Sequence, residues 1–457
     1  MESMESVDLP QTTTLKIKLR DDQPSRYQRK IDSSREFLSL IKKNPMSDAV
    51  IRQVKKRKIR VGSKWLTDFA SCNYLGFDVH PEVMASVGDH IDQLSTYPGQ
   101  SRLLGSPYLY EQIEEEVKKL TGLPDCILMP SITLTHLFAL PILAEEGDLF
   151  LDKRAHKTIY DGCVRATHYG ANMASFQHND CNDLEEKLKQ STAKRKLICV
   201  DGVYSMHGYT AAVPRMLELC EQYDAYLYID DAHGFGVLGE RAEDELCAFG
   251  KKGSGSIQYF AKTYDRVIYI AGLSKAYSSL VGFIGCTPET KDFLKVSIDP
   301  YLYSGPAPIA ALSCLVKSFA INAREGDEIR KHLYDLSKRF EQGIDQLGLR
   351  NENHTGFPVY RLTMQAAEQV HFVGQFLYDH GLYVTLAPYP LVPRHEAGFR
   401  IQLTAANTLQ EVEYLLETLK KLHKQAKMQM SSPSSLHVKL NSIEVKTKRS
   451  SKKAGFH

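Results

Sequence analysis

The fold follows from two apolar segments that each end in polar residues. They are Tyr226-Leu-Tyr-Ile-Asp-Asp-Ala-His-Gly234 and Ile270-Ala-Gly-Leu-Ser-Lys-Ala-Tyr277. Each has the composition of a buried parallel strand, and such strands deliver side chains to a site at their carboxyl ends. Asp230 and His233 leave the first strand, and Lys275 follows the second. We therefore expect these three side chains to meet at one edge of a parallel sheet.

A buried carboxylate, an imidazole and a lysine are the groups that a pyridoxal phosphate (PLP) enzyme requires. The lysine amine holds the cofactor as a Schiff base, and the carboxylate keeps the pyridine nitrogen protonated, so that the ring withdraws electrons. Each residue also has an ordinary explanation, because Asp-Asp often caps a turn or a helix and a loop lysine is usually a solvated cation. The PLP hypothesis therefore depends on the rest of the chain.

Composition and charge set broad limits on the class of protein. The 457 residues are 43% hydrophobic and 25% charged, which is typical of a globular chain long enough for two domains. The net charge of +2 argues neither for nor against an acidic partner. The nine cysteines have no paired spacing, and no signal peptide, metal motif or membrane-spanning run is evident. We expect a cytoplasmic protein without a metal ion or a membrane span.

Strand-like and helix-like segments alternate along the middle of the chain, which predicts an α/β fold with a mainly parallel sheet. A smaller α+β domain follows it. We expect a strand leading to a turn at 70–76, a strand at 382–387, a hairpin at 58–65, and a last helix that opens with a capping box of Thr408 and Glu411. The predicted divisions are a flexible N-terminus at 1–25, a basic segment with a small hairpin at 26–74, a large domain at 75–310, a small domain at 311–426 and a disordered basic tail at 427–457.

Several short motifs occur in the order found in one known family. They are Asn73-Tyr-Leu-Gly, Ser101-Arg102, His178-Asn-Asp, Asp201-Gly-Val-Tyr-Ser-Met206, Asp230-Asp-Ala-His-Gly, Leu273-Ser-Lys-Ala, Val392-Pro-Arg and Arg400-Ile-Gln-Leu-Thr-Ala-Ala. Through this set the chain resembles the α-oxoamine synthases, which are PLP enzymes of fold type I, the aspartate aminotransferase-like fold. Members include 8-amino-7-oxononanoate synthase, 2-amino-3-ketobutyrate coenzyme A ligase, 5-aminolevulinate synthase and serine palmitoyltransferase.

The resemblance implies a role for each residue around the cofactor ring. Lys275 would hold PLP and act as acid and base at the amino acid Cα. Asp230 would pair with the pyridine nitrogen, and the opposite charge would favour its ionised form. His233, helped by Ser205, would donate to the phenolic oxygen, and His156 would stack on the ring.

The resemblance also implies how the phosphate is held. Ser131, Ile132 and Thr133 would open a helix whose backbone N–H groups bind it, as helix N-termini readily do. Ser274 would contribute beside the lysine. Family members are dimers with shared active sites, so Ser304 would reach the cofactor phosphate of a second subunit.

The substrates implied by the resemblance are an amino acid and an acyl thioester, carried by coenzyme A or an acyl carrier protein. Arg400 would pair with the amino acid carboxylate, for which a planar guanidinium is suited. Cys72, Asn73 and Arg102 would complete this site.

Departures from the family pattern concentrate near the implied substrates. Cys72 stands for an asparagine, Tyr110 for a histidine, His207 for an aspartate, Gly272 and Gly305 for two phosphate-binding threonines, and Leu280-Val281 for a glycine pair. Losing two hydroxyl donors should weaken phosphate binding unless other groups replace them. The change at Cys72 should alter the choice of amino acid.

The leading hypothesis is a PLP-dependent acyltransferase that condenses an amino acid with an acyl thioester, with decarboxylation, to an α-amino ketone. Two alternatives remain within the same fold. One is aminotransferase or aldol-type chemistry, and the other is a non-catalytic partner subunit, although the presence of Lys275, Asp230 and His233 argues against the latter. Nucleic acid binding through the basic residues 52–60 is a weaker possibility.

Overall fold

The structure is a computed structural model that describes residues 26–430, except 43, 243–246, 350–352, 354, 365, 367–368 and 390. The predicted flexible N-terminus at 1–25 lies outside the described residues, and so does the predicted tail from residue 431 on. The last helix continues to Met430, so the prediction of a disordered tail from 427 is wrong for its first four residues.

The described chain begins with a helix that the sequence did not predict and continues into a small sheet. These elements are α1 (Arg26–Lys42), β1 (Ile51–Lys55), β2 (Lys58–Val61) and β3 (Lys64–Asp68). β2 and β3 pair antiparallel, which confirms the predicted hairpin. Arg57, which belongs to the basic segment, is buried and pairs with Asp78 at 2.6 Å. It therefore does not contribute to a solvated basic surface.

A seven-stranded sheet forms the centre of the molecule. The elements of this part are α2 (Pro81–Ala85), α3 (Ile91–Leu94), α4 (Leu109–Thr121), β4 (Asp125–Met129), α5 (Ile132–Ala144), β5 (Asp148–Asp152), α6 (Lys157–Thr167), β6 (Asn172–Phe176), α7 (Cys181–Gln190), β7 (Lys196–Asp201), α8 (Val213–Gln222), β8 (Tyr226–Asp230), α9 (Ser256–Phe260), β9 (Val267–Gly272), β10 (Gly282–Cys286), α10 (Pro288–Ser297) and α11 (Asp299–Leu302). The strand order is β4-β10-β9-β8-β7-β5-β6, and β10 alone runs against the other strands of this sheet. The predicted α/β fold with a mainly parallel sheet is confirmed.

Both faces of the central sheet are buried, which explains why its strands read as continuous apolar runs. In β8, Leu227 and Ile229 belong to one core cluster, whereas Tyr228 belongs to the other. Successive side chains of a strand point to opposite faces. Polar residues are therefore confined to the strand ends, and this places Asp230 at the edge of the sheet.

The C-terminal part packs a long helix against a second small sheet. Its elements are α12 (Ile309–Gln346), β11 (Val359–Thr363), α13 (Gln369–Asp379), β12 (Leu382–Tyr383), β13 (Thr385–Ala387), β14 (Gly398–Gln402) and α14 (Leu409–Met430). The strand order of the second sheet is β11-β14-β13. Glu411 accepts the Thr408 N–H at 3.0 Å, and Thr408 Oγ1 accepts the Glu411 N–H at 3.2 Å, so the predicted capping box is confirmed.

The structure differs from two strand predictions. No strand forms at 70–73, where the Asp68 carboxylate accepts the Ala70 N–H at 2.8 Å, whereas the expected turn is present at Tyr74 and Leu75. Residues 382–387 form two short strands that belong to different sheets. β12 pairs parallel with β3, whereas β13 pairs antiparallel with β14.

The division at 74/75, 310/311 and 426/427 stays a prediction. Among the described residues, no helix is both long enough and apolar enough to cross a membrane.

Candidate active site

The strand ends of the central sheet bring acidic residues together along one edge. Asp201 ends β7 and Asp230 ends β8, and the two residues pair in register. Gly282, the first residue of the antiparallel β10, pairs with Gly272 at the end of β9. The loop that carries Lys275 therefore starts at the same edge as the two carboxylates.

Asp230 is deeply buried, with 6% of its surface exposed. Its Oδ1 accepts the Ala232 N–H at 2.9 Å, and its Oδ2 lies 2.9 Å from His136 Nε2. Burial alone would raise the pKa of this carboxyl, but His136 and the Lys275 charge outweigh burial and hold it well below its usual range. Asp230 is therefore an ionised carboxylate at neutral pH.

Lys275 lies three residues beyond the end of β9 and is half-buried. Its backbone oxygen accepts the Ser278 N–H at 3.0 Å, so the loop turns back directly after it. Its charge acts on the pKa values of Asp230 and His233, which places the ammonium among them. Ser274 precedes it in the same turn.

His233 is buried on the other side of the site and bonds to a tyrosine that the sequence analysis did not assign. Tyr74 Oη lies 2.7 Å from His233 Nδ1. Burial, followed by the charges of Lys275 and Arg400, lowers the pKa of His233 well below its ordinary value, so the imidazole is neutral. Tyr74 belongs to the motif Asn73-Tyr-Leu-Gly. A tyrosine inside such a motif, whose hydroxyl needs a hydrogen-bond partner when it is buried, is the sequence feature that could have indicated a role in the site.

His156 caps the N-terminus of α6 and faces the same edge. Its backbone N–H donates to Asp201 Oδ1 at 2.9 Å, and its Nδ1 lies 2.7 Å from Thr158 Oγ1. Burial and the charge of Asp230 raise the pKa of the Asp201 carboxyl well above its ordinary range. Asp201 therefore holds its proton more tightly than its neighbour Asp230, and the sequence analysis did not assign it to the site.

The start of α5 offers a group of backbone donors. Ser131 caps the helix, and its Oγ accepts the Leu134 N–H at 3.3 Å. Ile132 and Thr133 follow in the first turn, where N–H groups have no acceptor within the helix and favour an anion. Gly282 lies against this turn, because a Cβ there would be 2.9 Å from the Ile132 nitrogen.

Arg400 reaches the site from β14. Its Nη1 donates to the backbone oxygen of Ser205 at 2.8 Å and lies 3.8 Å from Met206 Sδ. Its Nε is buried and has no hydrogen-bond partner among the described residues. A buried guanidinium donor without an acceptor suits the carboxylate of a small ligand.

One side chain near Arg400, that of Cys72, departs from the family pattern. Gln402 lies two residues further along β14 and therefore on the same face. Its side-chain amide donates to Cys72 Sγ. Asn73 accepts the Gly76 N–H at 2.8 Å through its backbone oxygen. The predicted substrate residues Cys72 and Arg400 are thus joined through Gln402.

Arg102 is committed to the protein interior. It donates to the Leu128 carbonyl at 2.7 Å, to Glu114 at 3.2 Å and to Ser106 at 3.1 Å. Its guanidinium carbon lies 3.8 Å from the centre of the Tyr110 ring. These contacts employ all three guanidinium nitrogens, so we do not assign Arg102 to a substrate.

His207 replaces an acid of the family pattern and is surrounded by cations. Both Arg154 and Arg361 donate to its Nε2, and Glu396 pairs with Arg154 at 3.0 Å and with Arg361 at 3.2 Å. Burial and the two arginines lower the pKa of His207 to about 3. The imidazole therefore acts as a neutral acceptor between two guanidinium groups.

The structure accounts differently for the two glycines that replace threonines. A Cβ at Gly305 would coincide with the hydroxyl of Tyr97, so a hydroxyl is present at this place on another residue. A Cβ at Gly272 would lie 3.3 Å from Ala232 Cβ and near the Ile132 side chain, so its surroundings are apolar. Ser304, beside Gly305, donates to the Gly305 carbonyl at 3.1 Å.

The side chains at this edge match the functional groups of PLP. Lys275 offers an amine for the aldehyde, Asp230 an anion for the pyridinium nitrogen, and neutral His233 a donor for the phenolic oxygen. The first turn of α5 offers N–H groups for the phosphate. The residues present therefore fit the cofactor.

Comparison with known proteins identifies the family. The sequence model of the family "Aminotransferase class I and II" matches residues 66–419, which is most of the chain. The 8-amino-7-oxononanoate synthase of Methylobacillus flagellatus is 33% identical over 371 residues, covering 80% of this chain and 88% of the relative. The enzyme of the same name from Chromobacterium violaceum is 33% identical over 354 residues, covering 77% of this chain and 88% of the relative. The chain belongs to the α-oxoamine synthases.

This α-oxoamine synthase is accordingly a PLP-dependent acyltransferase, and its family condenses an amino acid with an acyl thioester. The fold agrees with solved structures. Serine palmitoyltransferase of S. paucimobilis with bound PLP and myriocin has a TM-score of 0.78 at 22% identity, covering 88% of this chain and 99% of that one. The Francisella tularensis 8-amino-7-oxononanoate synthase has a TM-score of 0.64 at 20% identity, covering 79% and 99%. The predicted fold type I is confirmed.

Proposed function

We propose that this α-oxoamine synthase condenses its amino acid and acyl thioester, with loss of carbon dioxide, at the sheet edge that carries Asp230 and Lys275. The product is an α-amino ketone. The observation that supports this assignment is the convergence of an ionised carboxylate, a neutral imidazole and a lysine at one edge. Such a set suits a site in which a pyridine ring is held and polarised.

Bound PLP supplies an electron sink for negative charge at the amino acid Cα. The protein binds PLP and orients it. Lys275 binds the cofactor through its amine and moves the proton at Cα. Asp230 holds the proton on the ring nitrogen, and neutral His233 donates to the phenolic oxygen. His156 covers one face of the ring and excludes water.

Arg400 binds the amino acid carboxylate in this proposal. Its buried Nε has no other acceptor among the described residues, and its Nη1 is anchored on Ser205. Cys72 and Gln402 border the carboxylate and the Cα substituent. Because the Cys72 thiol replaces the usual asparagine at this place, we expect this change to alter the choice of amino acid. Coenzyme A is the acyl carrier that we favour over a carrier protein.

A homodimer with shared active sites completes the proposal. Large apolar side chains are exposed on segments that adjoin the site, including Leu103, Leu104, Leu280 and Tyr303. A monomer rarely leaves so many apolar groups in one region to water. Within the dimer, Ser304 and Tyr97 would face the phosphate bound by the second subunit.

We also propose a cytoplasmic location. None of the nine cysteines, all of which lie among the described residues, forms a disulfide, and five of them are buried. Unpaired thiols are typical of a reducing compartment.

The assay for this function follows the colour of the protein and the fate of the thioester. The purified protein is titrated with PLP and then with single amino acids, and thiol release and carbon dioxide are measured after an acyl-coenzyme A is added. We expect a visible absorption band, a spectral change with one amino acid, and equal amounts of thiol and carbon dioxide. Lys275→Ala should lower turnover at least about 100-fold, whereas Lys420→Ala, on an exposed face of α14, should not.

Other outcomes identify the alternatives. Transfer of the amino group to a 2-oxo acid without thiol release would mean aminotransferase chemistry. Cleavage of a hydroxy amino acid would mean aldol-type chemistry. A protein that binds no PLP would be a partner subunit.

A further inference from the structure

Three buried side chains form a continuous hydrogen-bonded chain behind the proposed cofactor site. His136 Nε2 lies 2.9 Å from Asp230 Oδ2, and His136 Nδ1 lies 2.8 Å from Tyr228 Oη. His136 and Tyr228 have no exposed surface. His136 lies in the apolar helix α5, and no sequence motif marks it as a site residue.

All three side chains are carried by regular secondary structure, His136 by α5 and both Tyr228 and Asp230 by β8. Tyr228 and Asp230 lie two residues apart on β8 and therefore on the same face of the strand. His136 lies one helical turn after Ile132, so the same helix that begins with the proposed phosphate donors also presents this imidazole. α5 packs closely on α6 at this place. Gly162 of α6 lies so near α5 that a Cβ on it would collide with the His136 carbonyl oxygen.

The direction of the hydrogen bonds follows from the chemistry of the acceptors. An ionised carboxylate can only accept, so His136 Nε2 must carry the proton that points at Asp230. The other ring nitrogen, Nδ1, lies 2.8 Å from the Tyr228 hydroxyl, which can donate to a ring nitrogen or accept from it. Tyr228 thus holds the imidazole in the orientation that aims Nε2 at Asp230.

We propose that His136 is a positioning residue that holds Asp230 ionised and aimed at the ring nitrogen of the cofactor, with Tyr228 fixing the orientation of the imidazole. This inference rests on the proposed function, because Asp230 needs this support only if it binds a pyridinium. Other titratable groups that interact with Asp230 include Asp201, Asp231, His156, His233 and Lys275. Among the described residues, His136 makes the side-chain hydrogen bond to Asp230, and Lys275 adds a positive charge nearby.

Removing the imidazole leaves a buried carboxylate oxygen without its donor. A lost hydrogen bond to a charged group lowers an affinity by about 10- to 100-fold, and here the affected affinity is that for a protonated pyridine. The expected result is a ring nitrogen that loses its proton at neutral pH and a weaker hold on PLP. A purely structural histidine would change stability and leave the proton on the ring.

The test compares His136→Leu, which has no donor, with His136→Gln, whose amide nitrogen can take the place of Nε2. The readout is the ¹⁵N chemical shift of the pyridine nitrogen in holoenzyme loaded with ¹⁵N-labelled PLP. We expect a protonated nitrogen in the wild type and in His136→Gln, and a largely unprotonated one in His136→Leu. The dissociation constant for PLP, measured by titrating apoenzyme, should rise about 10- to 100-fold in His136→Leu and little in His136→Gln.

Two further measurements make the result decisive. In apoenzyme, the ¹⁵N shifts of His136 should show a proton on Nε2, and Tyr228→Phe should weaken this preference. If His136→Leu does not fold, His136→Asn replaces it, because its shorter amide reaches only the Nδ1 position. A protonated ring nitrogen with unchanged PLP affinity in the donor-free variant would overturn the inference. Failure of the wild type to bind PLP would instead overturn the proposed function.

Discussion

The imidazole of His207 accepts hydrogen bonds from two arginine side chains. Arg154 and Arg361 both donate to its Nε2, so protonation of the imidazole would bring three positive charges together. A single carboxylate, that of Glu396, pairs with both arginines. The molecule therefore depends on His207 staying unprotonated, and this dependence has a measurable consequence.

The free energy of unfolding should fall on acidification because of His207. Its pKa is about 3 in the folded chain, below the ordinary 6.5, so the unfolded chain binds the proton more tightly. Stability is then fully present above the ordinary pKa and is lost as the pH falls toward the folded pKa. From about pH 7 to about pH 5 the loss should be about 2 kcal/mol.

Denaturant titrations at several pH values measure this loss. His207→Gln keeps an acceptor between the arginines and cannot be protonated, so its unfolding free energy should change less with pH. Equal slopes in wild type and variant would show that another group causes the acid sensitivity.

Arg400 should control amino acid affinity more than the rate of the chemical step. Arg400→Lys removes the planar pair of donors and the contact with Ser205, so the KM for the amino acid should rise about 10- to 100-fold with a smaller change in kcat. Arg324→Lys, at an exposed ion pair with Glu82, is the matched control. An unchanged KM in Arg400→Lys would remove Arg400 from the carboxylate site.

The sequence indicated some site residues and not others for a physical reason. Lys275, Asp230 and His233 follow apolar strands in the sequence, so the local pattern alone indicates that their side chains lie at the edge of the sheet. His136 and Tyr74 act through partners 94 and 159 residues away. Such contacts depend on how helices and strands pack, and no local pattern contains that information. Arg102 is the opposite case. Its motif predicts a substrate contact, but its side chain is hydrogen-bonded within the protein interior.

Among the elements, α5 and β10 must approach unusually closely. Gly282 begins β10 directly against the first turn of α5, where the phosphate donors lie. Gly282→Ala would place a Cβ 2.9 Å from the Ile132 nitrogen, and backbone atoms cannot move aside as a flexible side chain can. The close approach thus sets the direction of the N–H groups.

We expect Gly282→Ala to weaken PLP binding about 10-fold and to lower the free energy of unfolding by about 1–3 kcal/mol. Gly88→Ala is the control, because a Cβ there has no neighbour within 4 Å. Fluorescence titration with PLP and chemical denaturation measure the two effects. If the two variants behave alike, the contact does not set the phosphate site.

The predictions of helices and strands were correct where the apolar pattern was long and regular. They were wrong where a short segment could pair with more than one strand. The central strands and α14 have long apolar patterns, and these match the structure. The segment 382–387 reads as one strand, but it changes sheets at Val384. The partner of a short strand is decided by tertiary packing, and the sequence of the strand does not record it.

For the whole molecule, the exposed apolar surface beside the site predicts association. Leu104 is 75% exposed, and Tyr303 is 81% exposed. A charge at Leu104 would be buried in the proposed dimer interface, so Leu104→Glu should sediment as a monomer at micromolar concentration and bind PLP more weakly.

Leu409→Glu, at a 52% exposed position at the start of α14, is the control and should remain dimeric. Sedimentation velocity decides between the two outcomes. A dimeric Leu104→Glu protein would place the interface elsewhere.

The hydroxyl of Tyr97 fills the space that a side chain at position 305 would need. A side chain at position 305 therefore requires the Tyr97 ring to turn aside or residue 97 to be shorter. A lineage that gains threonine at 305 is expected to favour a smaller residue at 97, and one that keeps tyrosine at 97 is expected to favour glycine at 305. Across an alignment of relatives, these two columns should covary, and their joint state would mark a branch of the family that arose by a paired exchange.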